Sequence, residues 1–414
     1  MSQVNVDGVD TYSFAALKKG RRCGIDSFGF FLGPSDEGKS ATAVEGLPAF
    51  ERPPDGADLM KSSGAQTART MAASHAVSGR SQQTGVAWWE SIAQEVVAEG
   101  HRRGFATRAG RLRATASGSG DSPGPSSVCS SSRGDGGDGA NANWSRVALL
   151  KARRKVRRGA LPMEERKVAW QLLTGALFSP VGDDEFAQLQ RETIPQESEE
   201  VMMRDLGRTL PLHCLFKDEG SPGQESLRRV LHAYCARDHE VGYCQGMGFI
   251  ASVLLLHMDE ASAFGVLWQL MNGRHYLMRQ LYQPGFPLLQ KMLEILRSLL
   301  RRFLPRLHDH FADLNIEPAF YASHWFLTLY AYQFPVPLVC RIWDLFISEG
   351  WKIIFKVAIA LLQWEEPQLL NMTMENILLL VKTIQDGKDP EAIVARAMSL
   401  PIKERDLFPD TPAE

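Results

Sequence analysis

Apolar residues recur at intervals of three and four along the second half of the chain. Leu227, Val230, Leu231 and Tyr234 fall on one helical face, and Phe264, Leu267, Trp268 and Met271 on another. Capping chemistry marks several boundaries. Pro162 followed by Met163 to Thr174 and then Gly175 predicts a helix with proline in its first turn and glycine past its end. Ser221-Pro222-Gly223-Gln224 has the form of a capping box, and Asp259 is placed to cap the helix carrying Phe264. Further helices are predicted over Pro287 to Arg302, Ala319 to Tyr332, Pro337 to Ile347 and Ile353 to Gln363, with Gly350 as a stop signal. No run alternates with period two, so the fold class expected from Trp144 onward is all-α.

The first third of the chain has a different pattern. Residues 61–143 are rich in Ser, Gly, Ala and Arg, with runs such as Ser117–Gly120 and Asp135–Gly139 that bury too little apolar surface to offset chain entropy. They read as a low-complexity linker holding at most a short helix around Trp88, Trp89, Ile92 and Val96. The expected organisation is therefore an N-terminal segment (1–60) that is partly ordered at most, a disordered linker (61–143), a helical domain (144–400) and a tail (401–414).

Composition narrows the function classes. Of 414 residues, 44% are hydrophobic, enough for a large core in the helical part. Net charge is −2, so no whole-chain field favours nucleic acid or an anionic membrane. Lys151 to Arg158 is a local basic run, read as a solvated face ahead of a helix. Six scattered cysteines fit reduced thiols rather than a disulfide framework. The N-terminus shows no secretory h-region, and the longest apolar stretch, Phe249 to Leu256, is far short of the roughly 20 residues of a membrane span. The expectation is a soluble, cytoplasmic protein.

Candidate chemistry sits in two short motifs, Met202-x-x-Asp205-x-x-Arg208 and Tyr243-Cys244-Gln245-Gly246-Met247. They supply an arginine and a carboxamide with no nucleotide-binding machinery around them. GTP hydrolysis needs both groups: a planar cation against charge on the transferring phosphoryl group, and a donor/acceptor that orients the attacking water. Taken alone, Asp205 and Arg208 would be an ordinary i,i+3 surface pair and Gln245 a polar residue at a helix start. Their ordered combination changes that reading.

From Trp144 to Asp386 the chain resembles the TBC domain, the catalytic domain of Rab GTPase-activating proteins. Arg158-Gly159-Ala160-Leu161-Pro162-x-x-x-Arg166-x-x-x-Trp170 resembles the family's opening signature. The Arg208 motif resembles its arginine finger, with Met202 where the family usually has Ile, and Gly242 to Met247 resembles its glutamine finger. Tyr321-Ala322-Ser323-x-Trp325-Phe326 and Arg341-Ile342-Trp343-Asp344-x-Phe346-x-x-Glu349-Gly350 are also similar.

The resemblance implies that Arg208 and Gln245 act in trans on a GTP-bound Rab, supported by Asp205, Tyr243 and Gly246. The chain itself would need no cofactor, because GTP and Mg²⁺ belong to the partner. Membrane contact would be indirect, by recruitment to endomembranes through the Rab. Arg166 is expected as an internal ion-pair partner, with Asp205 the candidate carboxylate, and Trp170 as core.

Other readings compete with this one. A Rab-binding scaffold with the same fold but no activity would have no physical need for either finger. Gly33-Pro34-Ser35-Asp36-Glu37-Gly38-Lys39-Ser40 matches the P-loop expression after the apolar run Phe28 to Leu32, but Asp36 and Glu37 would place carboxylates where phosphate must sit. Asp26-x-Phe28-Gly29-Phe30 resembles instead a short element found upstream of TBC domains. Cys235-x3-His239-x4-Cys244 lacks the paired spacing of zinc sites, and Ser323-His324 has no identified acid to form a triad.

Overall fold

The computed structural model describes residues 23–25, 31–34, 85–96, 146–178, 183–211 and 213–408. The chain divides into two units, Met1–Trp88 and Trp89–Glu414. In the first, β1 (Cys23–Ile25) and β2 (Phe31–Pro34) pair antiparallel, with Gly24 opposite Gly33. Gly33 and Pro34 thus belong to an antiparallel strand, whereas a P-loop follows a parallel one. Ser35 to Ser40 and the element at Asp26 to Phe30 lie outside the described residues.

A helix over residues 85–96, α1, lies in the linker stretch where a short helix around Trp88, Trp89, Ile92 and Val96 is expected. Trp89, Ile92, Ala93 and Val96 on it are buried, at the spacing of one helical face. The remaining helices are α2 (Arg146–Arg158), α3 (Met163–Thr174), α4 (Asp183–Leu189), α5 (Gln196–Leu206), α6 (Pro222–Arg237), α7 (Met247–Leu255) and α8 (Glu260–Asn272), then α9 (Pro287–Phe303), α10 (Pro305–Asp313), α11 (Ala319–Leu327), α12 (Val336–Glu349), α13 (Lys352–Leu369), α14 (Met374–Lys382) and α15 (Pro390–Ser399). Among the described residues the second unit is entirely helical, as the all-α expectation requires.

Packing follows the apolar stripes. On α9, Leu288, Leu289, Met292, Leu296, Leu299 and Leu300 are buried at three- and four-residue steps while the arginines face out. Helix α8 lies against α3, α6 and α7, and α12 packs on α2, α3 and α13. Helix α12, and α13 as far as Leu362, are buried nearly all round, so their sequences read there as apolar runs rather than stripes. Trp170, Trp325 and Trp343 are fully buried, each contributing on the order of 1.5–3 kcal/mol through lost apolar exposure.

Several predicted ends shift, each for a local reason. Gly175 closes α3 in the left-handed conformation, φ 81°. Ser221 caps α6 by accepting from the Gln224 amide at 3.4 Å, but the box is only half formed: the Gln224 side chain accepts from the Gly220 amide and donates to Phe216 O. The helix predicted to reach Tyr332 stops at Leu327, because Leu329 and Tyr330 adopt φ of 46° and 69°. That costly backbone is held by three contacts: Trp343 Nε1 donates to Leu329 O at 3.0 Å, Tyr330 Oη donates to Ile354 O at 2.7 Å, and Tyr330 stacks on Phe334.

The basic run is itself most of α2, not a segment ahead of a helix. Ala148, Ala152 and Val156 face inward, Lys155 pairs with Glu165 at 2.8 Å, and Arg157 pairs with Glu349. No described helix is long and apolar enough to cross a membrane.

Candidate functional site

Helix α5 ends at Leu206, and the chain then turns through Gly207 and Arg208, whose amide donates to Asp205 O at 3.2 Å. The turn folds the Arg208 side chain back over the helix end. Its Nε donates to Asp205 Oδ1 at 2.9 Å, and Nη2 donates to the same oxygen. Asp205 is 2% exposed, so this is no surface pair. Met202, one turn earlier, is fully buried and fixes which face of α5 points inward.

The second motif lies in the loop between α6 and α7. Gly242 (φ 59°) and Gly246 (φ 103°) both occupy the left-handed region that favours glycine, and Gly246 caps α7. Between them Tyr243 is buried, and its Oη donates to Asp205 Oδ2 at 2.7 Å. Burial first, and the Asp205 charge second, push the Tyr243 phenol well above its ordinary range, so it stays a donor. Gln245 follows two residues later, half-buried beside the Gly246 turn.

Asp205 is therefore the junction of the two loops. One carboxylate oxygen takes the guanidinium of Arg208 and the other takes the phenol of Tyr243. An ionised acceptor with charge-assisted donors on both oxygens is a stiff joint, and charge-assisted bonds are about twice as strong as neutral ones. Thr209 reinforces it: its Oγ1 donates to Asp205 O at 2.7 Å, and a Cβ on Gly248 would stand 3.1 Å from that hydroxyl oxygen.

Arg166 and Trp170 belong to a different centre. Arg166 pairs with Asp344, not Asp205: Nε donates to Oδ1 at 3.1 Å and Nη2 to Oδ2 at 3.2 Å. Trp170 Nε1 donates to Oδ1 at 2.9 Å and the Leu161 amide to Oδ2 at 3.0 Å. The pairing follows the packing: α3, which carries Arg166, lies against α12, which carries Asp344. Burial raises the Asp344 carboxyl above the usual carboxylate range, and the Arg166 charge opposes that rise. This knot ties the α2–α3 turn to α12 and positions scaffold, whereas Asp205 positions the two finger candidates.

Sequence reasoning missed Asp344 as the Arg166 partner, Thr209, and Ser198, whose Oγ accepts from the Tyr243 amide at 3.3 Å. Asp344 stood in a motif, so that signal was available. Nothing in the local sequence singles out Ser198.

Residues 163–370 match the family model of the Rab-GTPase-TBC domain. Among curated proteins, the chain is 39% identical over 218 residues to the human ecotropic viral integration site 5 protein homolog, covering 53% of this chain and 26% of that protein. It is 41% identical over 225 residues to the Rab GTPase-activating protein eat-17 of Caenorhabditis elegans, covering 54% of this chain and 24% of that one. The chain thus spans about a quarter of the length of these relatives.

Among solved structures, it resembles the Chlamydomonas flagellar RabGAP TBC domain, at TM-score 0.52 and 25% identity, covering 61% of this chain and 84% of that one. The Ypt/Rab-GAP domain of Gyp1p shares the fold, at TM-score 0.52 and 21% identity over 60% of this chain and 91% of that one. The helical architecture and the family model, which covers half of the chain, agree: this protein belongs to the RabGAP-TBC family.

Proposed function

We propose that this chain accelerates GTP hydrolysis by a Rab-family GTPase, with Arg208 and Gln245 completing the partner's active site. The observation that carries the proposal is the shared carboxylate: Asp205 binds Arg208 through one oxygen and the Tyr243 loop through the other. A protein with no catalytic use for the pair has no reason to hold an arginine and a glutamine-bearing loop on one joint.

In this reading the Rab brings GTP and Mg²⁺, and the chain brings the fingers. Arg208 turns its guanidinium from Asp205 toward the γ-phosphate and the leaving oxygen, where negative charge grows only in the transition state. Asp205 keeps the Arg208 Nε as a pivot while the terminal nitrogens reach out, and Tyr243 keeps the loop in place. Gln245 accepts a hydrogen bond from the attacking water and donates one to phosphate. Residence at a membrane would come indirectly through the Rab, with the chain recruited to endomembranes.

The test is a panel of purified GTP-loaded Rabs assayed for phosphate release with the full chain. At least one Rab should be stimulated, and Gln245→Ala should lower that stimulation about 10²-fold or more with Rab affinity and helicity nearly unchanged. A chain that binds Rabs but stimulates none would favour the scaffold reading. Loss of helicity in Gln245→Ala would make the residue structural.

A further inference from the structure

Tyr243 touches α5 at two heights. Its phenol meets Asp205 near the end of the helix, and its amide meets the Ser198 hydroxyl near the start, at 3.3 Å. Residues seven apart lie on one face of a helix, two turns or roughly 10 Å apart. The whole length of Tyr243 is thus laid along α5 and fastened at both ends.

Gly242 shows how close the loop comes. A Cβ there would stand 2.7 Å from Ser198 Oγ, inside contact distance, and the residue has φ +59°. The backbone can reach the serine only because its neighbour has no side chain.

We propose that Ser198 is a positioning residue for the glutamine loop. Its hydroxyl oxygen sets where the Tyr243 backbone rests on α5, and so where Gln245 stands relative to Arg208 at the other end of the same helix. Asp205 holds the phenol, while the loop backbone is held by the Gly242 amide on Asp238 O at 2.8 Å, by the Cys244 amide on Met247 Sδ at 3.4 Å and by the Tyr243 amide on Ser198 Oγ; of these three, the serine is the contact made to α5. The inference rests on the GTPase-activating reading given above. Alanine is the informative replacement: it removes the acceptor while favouring the helix, so α5 is not put at risk.

The experiment uses the full chain and a Rab that the unaltered protein stimulates. In Ser198→Ala, hydrogen exchange at the Tyr243 amide should quicken by about tenfold or more, since that donor loses its partner. Turnover should fall about fivefold in kcat with KM for GTP-loaded Rab within about twofold, the pattern of a displaced catalytic group. Adding Tyr243→Phe should cost less than the product of the separate losses, since both act on one clamp.

Unchanged exchange at Tyr243 would overturn the contact. Faster exchange with unchanged kcat would overturn the positioning role, and a rise in KM alone would make Ser198 part of the docking surface instead. If the unaltered chain stimulates no Rab, the function reading falls and the catalytic role of Ser198 falls with it. The exchange measurement still reports the clamp by itself, so the two failures are told apart.

Discussion

Arg208 is the residue on which chemistry makes the sharpest demand. An arginine finger contributes about 10³ to 10⁵ in rate because a delocalised, planar cation meets two oxygens at once. Lysine offers a point charge on a flexible stem. Both Arg208→Lys and Arg208→Ala should lose most stimulated hydrolysis in single-turnover assays while still binding a GTP-loaded Rab, and near-normal turnover by the lysine variant would sink the mechanism. Tyr243→Phe tests the joint rather than the finger. It leaves one buried oxygen of Asp205 without its donor, a loss of about 1–3 kcal/mol, readable as a lower denaturant midpoint at unchanged slope. At this scale the sequence was informative where a residue carries its own chemistry, as Arg208, Gln245 and Asp205 do. It was uninformative where a role is conferred by a distant neighbour. Arg166 advertises an ion pair, but only the packed fold decides that Asp344, 178 residues away, is the partner.

Helices were legible from the sequence where a stripe ran over several turns or a cap or stop signal marked an end. The stripes of α6, α8 and α9 and the caps at Ser221 and Asp259 are local facts. The end of α11 was not, because the positive φ of Leu329 and Tyr330 is held by Trp343 and by Ile354 O. Helices α2, α4, α5, α7, α10, α14 and α15 were given no range from the sequence; apart from α2 and α5 they are ten residues or shorter, with too few turns to establish a period. The Asp259 cap supports a pH prediction. Burial pushes its carboxyl up, but bonds from Lys167 and from the amide and hydroxyl of Ser262 outweigh that and hold it at about 2, below its ordinary 3.8. A carboxyl depressed in the folded state gives stability present above the unfolded pKa and lost as pH falls through the folded one. Between about pH 4 and pH 2, the unaltered chain should therefore lose melting temperature more steeply than Asp259→Asn. Parallel acid profiles would remove the cap from the account. The effect should be modest, since both partners are half exposed to solvent.

For the molecule as a whole, the short helix expected around Trp89 turns out to pack its apolar face as core, well upstream of Trp144. Trp89 is fully buried and donates to Glu165 at 2.7 Å, although it lies in a stretch whose composition reads as linker. Trp89→Ala should cost about 3–5 kcal/mol by chemical denaturation, and no loss would show that α1 is dispensable. A fragment starting at residue 144 should accordingly melt below one starting at residue 85. Spacing marked the helix face of α1 from the sequence, but composition averaged over the window did not show that its four apolar side chains are buried. The Asp344 knot carries a consequence of another kind, for the order in which the protein is made. Leu161, Arg166 and Trp170 leave the ribosome long before the carboxylate that satisfies them, which follows Leu161 by 183 residues. Until then a newly synthesised chain carries an arginine and an indole designed for burial with nothing to bury them against. The N-terminal helices of the core cannot close early, and nascent chains stalled short of residue 344 should be the ones that chaperones hold.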